Sequence, residues 1–266
     1  MKIISYNING IRSASTKNFF GWLQATDADM VCLQEVKALP TQIPEIIALI
    51  EQLGYQHFWF PAEKKGYSGV AILTRIPPNH VQLGCGEEWI DREGRVIRAD
   101  FDDFSLMSLY MPSGSSGEER QIKKYEFMRF FDGYIAELRK THPNLIISGD
   151  YNICHTAIDI HNPKTNANSS GFLPEEREWM ETFLCNGFID TFRYFNKDPH
   201  HYTWWSFRAN SRAKNLGWRI DYHLASQPML SKLKRVTILP DAVHSDHCPV
   251  LLELDLQAEG GTHGPL

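Results

Sequence analysis

The chain has 266 residues, 42 % of them apolar and 22 % charged, with a formal charge of −5; this suits a globular protein with a sizeable core and excludes a low-complexity chain. The negative balance excludes nucleic-acid binding by bulk charge, so any such binding must come from a local basic surface. No run approaches the roughly 18 apolar residues of a membrane span, and five scattered cysteines without a Cys-x-x-Cys pair argue for free thiols in a reducing compartment over a disulfide frame or zinc site.

Residues 1–6 read directly as a strand, without the pattern of a leader peptide, and end in Asn7-Ile8-Asn9-Gly10. Residues 16–26 read as a helix with Phe19, Phe20 and Leu23 as its apolar face. The run 30–33 is a second strand ending in Gln34-Glu35, and 44–53 is a helix stopped by Gly54. Strands follow at 56–60, 69–74 and 81–84. Those at 96–101 and 104–110 are separated only by Asp102-Asp103 and so form a hairpin. A small-residue loop, 110–117, leads into a long helix at 118–141, which Asp132-Gly133 is able to kink. The strand 145–148 runs into Gly149-Asp150-Tyr151-Asn152, where glycine is read as freeing the turn. Residues 161–173 form a long polar loop, and such loops are often functional. A helix at 174–187 opens on Pro174 with Glu175 and Glu176 beside it. The rest reads as strands at 203–207, 218–225, 234–239 and 250–256, with a basic loop at 210–217 and a loop at 242–249. Strands in pairs and runs between few helices imply two stacked sheets with helices outside, in one domain spanning 1–256. The tail 257–266 is expected to be flexible.

The ends of the apolar runs carry Asn7, Glu35, Tyr110, Asp150, Asn152, Asp221, Asp246 and His247. Several carboxylates and a histidine at strand ends suit a hard divalent cation with oxygen ligands. Such an ion polarises a phosphodiester and activates water. Each residue taken alone has a plainer reading: Asn7 or Ser245-Asp246-His247 as turns, Glu35 as a surface acid before Lys37, Tyr110 as the edge of the core. Asp221 is harder to dismiss, because it lies between Ile220 and Tyr222 in a strand-like run and an inward charge needs a partner. Residues 201–220 hold Arg208, Arg212, Lys214 and Arg219 and no acid, interleaved with Tyr202, Trp204, Trp205, Phe207 and Trp218. The stretch suits phosphates and bases, or a basic loop over a small aromatic core.

Taken together the motifs resemble the exonuclease III family of abasic-site endonucleases, within the DNase I-like phosphoesterases. They are Ser5-Tyr6-Asn7-Ile8-Asn9-Gly10, Leu33-Gln34-Glu35-Val36-Lys37, Tyr110-Met111-Pro112, Gly149-Asp150-Tyr151-Asn152, Asn162-Pro163-Lys164, Gly171-Phe172-Leu173-Pro174, Gly217-Trp218-Arg219-Ile220-Asp221 and Ser245-Asp246-His247. The resemblance implies an α/β fold, a four-layer αββα sandwich of two mixed sheets flanked by helices. It implies Mg2+, for which Mn2+ can substitute, as one or two ions held among Asn7, Glu35, Asp150, Asn152, Asp246 and His247. Asp150 and Asn152 would handle the attacking water, Tyr110 would contact the phosphate, and His247 held by Asp221 would donate to the phosphoryl oxygens. Trp204, Trp218 and Ile220 would form a pocket for a sugar without its base. Asn162, Lys164, Asn166, Arg208, Arg212 and Lys214 would contact the DNA backbone.

The implied activity is incision of duplex DNA 5′ to abasic sites, with 3′-phosphodiesterase and 3′→5′ exonuclease activity, by a monomer acting in the cytoplasm on abasic or 3′-blocked DNA. The alternatives are another DNase I-like phosphoesterase, such as an unspecific nuclease or a phosphoinositide or sphingomyelin hydrolase, and an inert DNA-binding module. Two positions depart from the family pattern. Ser113 stands where asparagine is usual, and Asn9 stands where some relatives carry aspartate.

Overall fold

The computed structural model describes residues 1–257; beyond its first residue, the tail expected to be flexible lies outside them. The strands are β1 (Lys2–Asn7), β2 (Met30–Gln34), β3 (Gln56–Phe60), β4 (Val70–Thr74), β5 (His80–Leu83), β6 (Val96–Asp100), β7 (Ser105–Tyr110), β8 (Leu145–Asp150), β9 (Phe188–Asp190), β10 (Trp204–Trp205), β11 (Gly217–Trp218), β12 (Asp221–Ser226), β13 (Leu233–Ile238) and β14 (Val250–Leu254). The α-helices are α1 (Ile11–Thr16), α2 (Phe19–Thr26), α3 (Pro44–Gln52), α4 (Glu88–Arg92), α5 (Glu118–Leu138), α6 (Pro174–Cys185) and α7 (Thr191–Phe195). Two six-stranded sheets form, in the orders β13-β14-β1-β2-β4-β3 and β5-β6-β7-β8-β12-β9, and β10 and β11 make a separate ribbon. Both large sheets are mixed: β1 runs parallel to β2 and β7 parallel to β8, while their other pairs are antiparallel. A parallel neighbour needs a crossover. Here α1 and α2 return the chain from β1 to β2, and α5 returns it from β7 to β8.

The period of two along each strand divides the molecule into layers. Ile3, Met30, Cys32, Val70, Ile72, Leu106, Ile146, Val250 and Leu252 point into the space between the sheets. Their strand neighbours Ile4, Tyr6, Val31, Leu33, Ala71 and Leu73 point outward against Phe19 and Leu23 of α2 and Ile46 and Ile50 of α3. On the other side, Met107, Leu109, Leu145, Ile147 and Leu224 pack against Phe127 and Phe131 of α5 and Met180 and Phe183 of α6. The result is helix, sheet, sheet, helix. Among the described residues no helix is long and apolar enough to cross a membrane.

The structure corrects several local expectations. The helix expected at 16–26 starts later, as α2 from Phe19, because Asn18 takes a left-handed φ of 63°, and a separate helix, α1, ends at Thr16 before it. The strand expected at 218–225 divides into β11 and β12. Helix α5 does not break at Gly133, where a side chain would meet open space and Trp179 Nε1 donates to Asp132 from α6 at 3.0 Å. Helix α4, β9 and α7 were not foreseen; each is five residues or fewer, too short to show a period. Gly149 has another reason than a turn. It lies within β8 opposite Leu109, and a Cβ there would sit 1.9 Å from the Leu109 carbonyl oxygen. The turn comes at Asn152, with φ 52°.

A polar seam crosses the inter-sheet space just below the open end. Gln34 donates to Ser108 Oγ at 3.0 Å, and Ser108 donates to the Leu33 carbonyl across the sheets. His223 of β12 bonds Ser148 through Nδ1 at 2.7 Å and the Val250 carbonyl of the opposite sheet through Nε2 at 2.9 Å. The carbonyl can only accept, so Nε2 carries the proton and Nδ1 accepts from the serine. Burial lowers the His223 pKa from 6.5 to about 4. The folded state therefore refuses a proton that the unfolded chain takes up below pH 6.5. The contribution is full above that pH and is lost as pH falls toward 4, amounting to about 3 kcal/mol at roughly 1.4 kcal/mol per unit. Replacing His223 by Gln should flatten the dependence of the urea midpoint on pH between 6.5 and 4. Equal slopes for the two proteins would contradict this.

Candidate active site

The inward rows of the two sheets end together. In one sheet Tyr110 and Asp221 are both register partners of Asp150, so three inward side chains stand side by side at one level. The other sheet brings Asn7 at the end of β1 and Glu35 just past β2. Asn7 joins the sheets, because its amide nitrogen donates to Glu35 Oε1 and Asp150 Oδ2, each at 2.9 Å. Asp221 accepts from His247 Nδ1 at 2.9 Å, and His247 Nε2 lies 3.8 Å from Asp150 Oδ2. The Asn152 N–H donates to Asp150 Oδ1 at 2.8 Å. Strand β12 is steadied by Thr203, whose hydroxyl accepts from the Ile220 and Asp221 N–H groups at 3.1 Å each. Asn9, Glu35, Lys37 and Asn152 all have φ between 45° and 53°, a region that non-glycine residues enter at a cost and that clusters at functional sites.

Asp150, Asp221 and His247 are almost fully buried, so their charges act at close range in a poor solvent. For His247, burial favours the neutral ring, but Asp221 and then Asp150 outweigh it and raise the pKa to about 10. For Asp150, burial and the neighbouring Asp221 charge raise it to about 7 against the pull of His247. Glu35 moves the other way. Burial alone would raise it, yet Lys37 at 2.8 Å and the Asn7 amide hold it below the usual carboxylate range. Burial and the Glu35 charge push the Tyr110 phenol well above its ordinary value.

These groups floor a cleft of about 700 Å³. Ser113, Gly114, Ser115 and Gly117 form one rim; Ser169, Ser170 and Gly171 with Trp204, Trp218 and Ile220 form the other. The two indoles meet edge to face, centroids 6.0 Å apart, over Ile160, Phe172 and Cys154. Trp204 Nε1 donates to Asp246 Oδ2 at 3.0 Å, and Asn9 donates to Asp246 Oδ1 at 2.9 Å. Gly171 is required here: its φ is 95° and a Cβ would sit 2.9 Å from Trp218 Cζ3.

The expected DNA contacts divide. Asn162, Lys164, Arg208 and Lys214 are exposed. Asn166 turns its amide onto the His161 and Asn162 carbonyls at 3.0 and 3.1 Å, folding its own loop. Arg212 donates to the carbonyls of Ser245, Pro240 and Ala242 at 2.6 to 2.8 Å and lies over the Trp205 ring. It braces the loop that carries His247, and its donors are engaged there. Arg219, read with the surface cations, is fully buried. It bonds Asp159 at 2.7 Å and Asp190 at 2.6 Å, and Arg193 also reaches Asp159. Thr203, Lys124 and Glu176 also bear on the site, and no motif marks them in the sequence. There Lys37 stands only as a neighbour of Glu35, although a cation two residues from an acid is visible.

Glu35, Asp150 and His247 each offer a ligand atom, all within 4.8 Å of one another. The carboxylates of Glu35 and Asp150 fit an oxygen-seeking divalent cation. His247 serves that role less well, since Asp221 keeps its ring charged and a ligating imidazole must be neutral. Asp246 stands outside the trio, its oxygens engaged by Asn9, Ser245 and Trp204. Asn152 donates its amide to the Met111 carbonyl at 2.9 Å.

Two stacked mixed sheets with acids, an amide and a charged imidazole gathered at one end define the class, and comparison with known proteins gives the family. Residues 4–247 match the endonuclease/exonuclease/phosphatase family, and the chain belongs to it. It is 40 % identical to an exodeoxyribonuclease of Bacillus subtilis over 96 % of this chain and 100 % of that protein. It is also 40 % identical to the DNA repair nuclease APEX1 of Danio rerio, over 96 % and 82 %. Among solved structures, the 3′ phosphatase NExo from Neisseria bound to a product DNA hairpin superposes with a TM-score of 0.87 at 27 % identity, covering 96 % of this chain and 99 % of that one. An AP endonuclease from Archaeoglobus fulgidus gives 0.86 at 28 %, covering 96 % and 100 %.

Removing the Glu35 charge should weaken cation binding directly. Glu35→Gln is expected to lower the affinity for Mn2+, read by calorimetry without DNA, by at least about tenfold. Unchanged affinity would remove Glu35 from the site.

Proposed function

We propose that the protein is a Mg2+-dependent phosphodiesterase that incises duplex DNA on the 5′ side of abasic sites and trims blocked 3′ ends, with 3′→5′ exonuclease action. The observation that carries this reading is the pairing, in one cleft, of Glu35, Asp150 and a charged His247 with the aromatic corner of Trp204 and Trp218. The first group suits a phosphodiester; the second suits a bare deoxyribose, which has no base stack to lose on leaving the helix. Glu35 and Asp150 would hold the divalent ion, Mg2+ or Mn2+ in its place, which would supply positive charge to the scissile phosphate.

The chain's own groups do the rest. Asp150, on the cleft floor with the Asn152 N–H on its Oδ1 at 2.8 Å, takes the proton of the attacking water as general base. Asn152, whose amide nitrogen is committed to Met111, presents its carboxamide oxygen to that water. The new bond forms between water oxygen and phosphorus, and the bond to the 3′ oxygen breaks. His247 and the Tyr110 hydroxyl donate to the oxygens that gain charge. Asn162, Lys164, Arg208 and Lys214 meet neighbouring phosphates by side chains exposed to solvent. The whole cleft belongs to one chain, so a monomer suffices. Five free thiols suit a reducing compartment, and we place its action in the cytoplasm, at the DNA.

The test is cleavage of a duplex holding one abasic site beside the intact duplex, with Mg2+ and then EDTA. Incision of the first, abolished by chelation, is expected. Asp150→Asn should bind the duplex and cut it about 10²–10⁴-fold more slowly. Equal cutting of both duplexes would replace this reading with an unspecific nuclease, and binding without cutting would make the protein a DNA-binding module.

A further inference from the structure

Beneath the cleft lies a buried ion pair that neither lines the cleft nor meets solvent. Lys124, on the inner face of α5 among Phe127, Met128 and Phe131, is fully buried, and so is Glu176 in the first turn of α6. Their charges meet at 2.5 Å. Such a pair gives little net stability, and well-packed apolar residues of similar volume are often as good or better. Its presence therefore calls for another reason than holding two helices together.

The reason is where the remaining bonds go. Lys124 Nζ donates to the Asn152 carbonyl at 2.8 Å. Asn152 sits at φ 52°, its N–H on Asp150 and its amide on Met111. Glu176 Oε2 accepts from the Gly171 N–H at 2.6 Å and the Leu173 N–H at 3.0 Å. The second bond is ordinary capping of α6; the first reaches beyond it, to the residue on which Trp218 rests. Gln121, one turn before Lys124, donates to Glu176 at 3.0 Å and accepts from Ser170 Oγ at 2.7 Å. The pair thus holds by main chain the two segments that seat the water-handling residues and the aromatic wall.

We propose that Lys124 and Glu176 are positioning residues: together they fix Asn152, and through it Asp150, relative to the Ser170–Gly171 wall, so that the rate of the reaction depends on a pair that never meets substrate. The inference rests on the incision reading given above. A shift of about 1 Å in such a constellation costs on the order of 10²-fold in rate.

The experiment compares wild type, the neutral double variant Lys124→Met/Glu176→Gln and Lys124→Arg on a duplex containing a tetrahydrofuran abasic analogue, at saturating Mg2+. The double variant removes both charges yet leaves Gly171 an acceptor. It is expected to lose about 10- to 100-fold in kcat with KM within about threefold of wild type. Lys124→Arg, which keeps a cation for Asn152, should recover most of the rate. Should the double variant fail to fold, Glu176→Asp, one methylene short of Gly171, should show the same split. A folded double variant with wild-type kcat, or a loss that falls on KM alone, would overturn the positioning role. A wild-type protein that does not incise would overturn the functional reading instead, so the two failures are distinct.

Discussion

Two carboxylates on adjacent strands, Asp150 and Asp221, are pressed into one dry corner with a single imidazole between them. They are register partners on β8 and β12, both point between the sheets, and each is 2 % exposed or less. Left alone they would repel, and at least one would take up a proton. The charged ring of His247 makes the arrangement tenable, 2.9 Å from one and 3.8 Å from the other, together with the Asn7 amide from the opposite sheet. Removing one partner of such a buried set costs about 3–5 kcal/mol because the others are left unpaired. Much of the surrounding structure serves this corner. Thr203 fixes β12, Arg212 braces the loop that delivers His247, and Asn7 joins sheet to sheet.

The same corner explains why the chemistry faces one way. Asp221 favours the charged ring of His247, which suits that ring to donating and makes it a poor ligand for a cation. Burial and then Asp221 raise the Asp150 carboxyl above its usual range. Glu35 is lowered by Lys37 and stays an anion for the cation. Three acids of similar intrinsic strength thus stand in three different electrostatic settings. Lys37 also donates to Asn9 Oδ1 at 2.5 Å, and Asn9 holds Asp246, which holds Trp204. A chain of hydrogen bonds therefore runs from the acidic floor to the aromatic wall.

Much of this was legible in the sequence because a polar residue at the end of a buried apolar run needs a partner or a role. Asn7, Tyr110, Asp150 and Asp221 each close an inward-facing row whose next member is already polar, Ser5, Ser108, Ser148 and His223, so the rows turn from apolar to polar toward the mouth. The αββα layering followed from strand pairs set between few helices. What stayed hidden depends on partners distant in sequence. Arg208, Arg212, Lys214 and Arg219 look alike as cations, yet two are exposed, one braces a loop and one is buried between Asp159 and Asp190. Gly149 looked like a turn and is a close approach to Leu109. Lys124 and Glu176 gave no signal, since a lysine on a long amphipathic helix and an acid in a first turn are both ordinary. The short α4, β9 and α7 are set by tertiary packing and carry too few residues for a pattern.

The account stands on Asp221 acting through His247, and one measurement addresses it most directly. It is the single-turnover cleavage rate of Asp221→Asn on an abasic duplex at saturating Mg2+, taken with the duplex affinity. An amide at 221 keeps the shape but gives up the charge that holds the ring cationic and in place. The account predicts a rate at least about 10²-fold below wild type with affinity unchanged. A folded Asp221→Asn protein cutting within about threefold of the wild-type rate would contradict it.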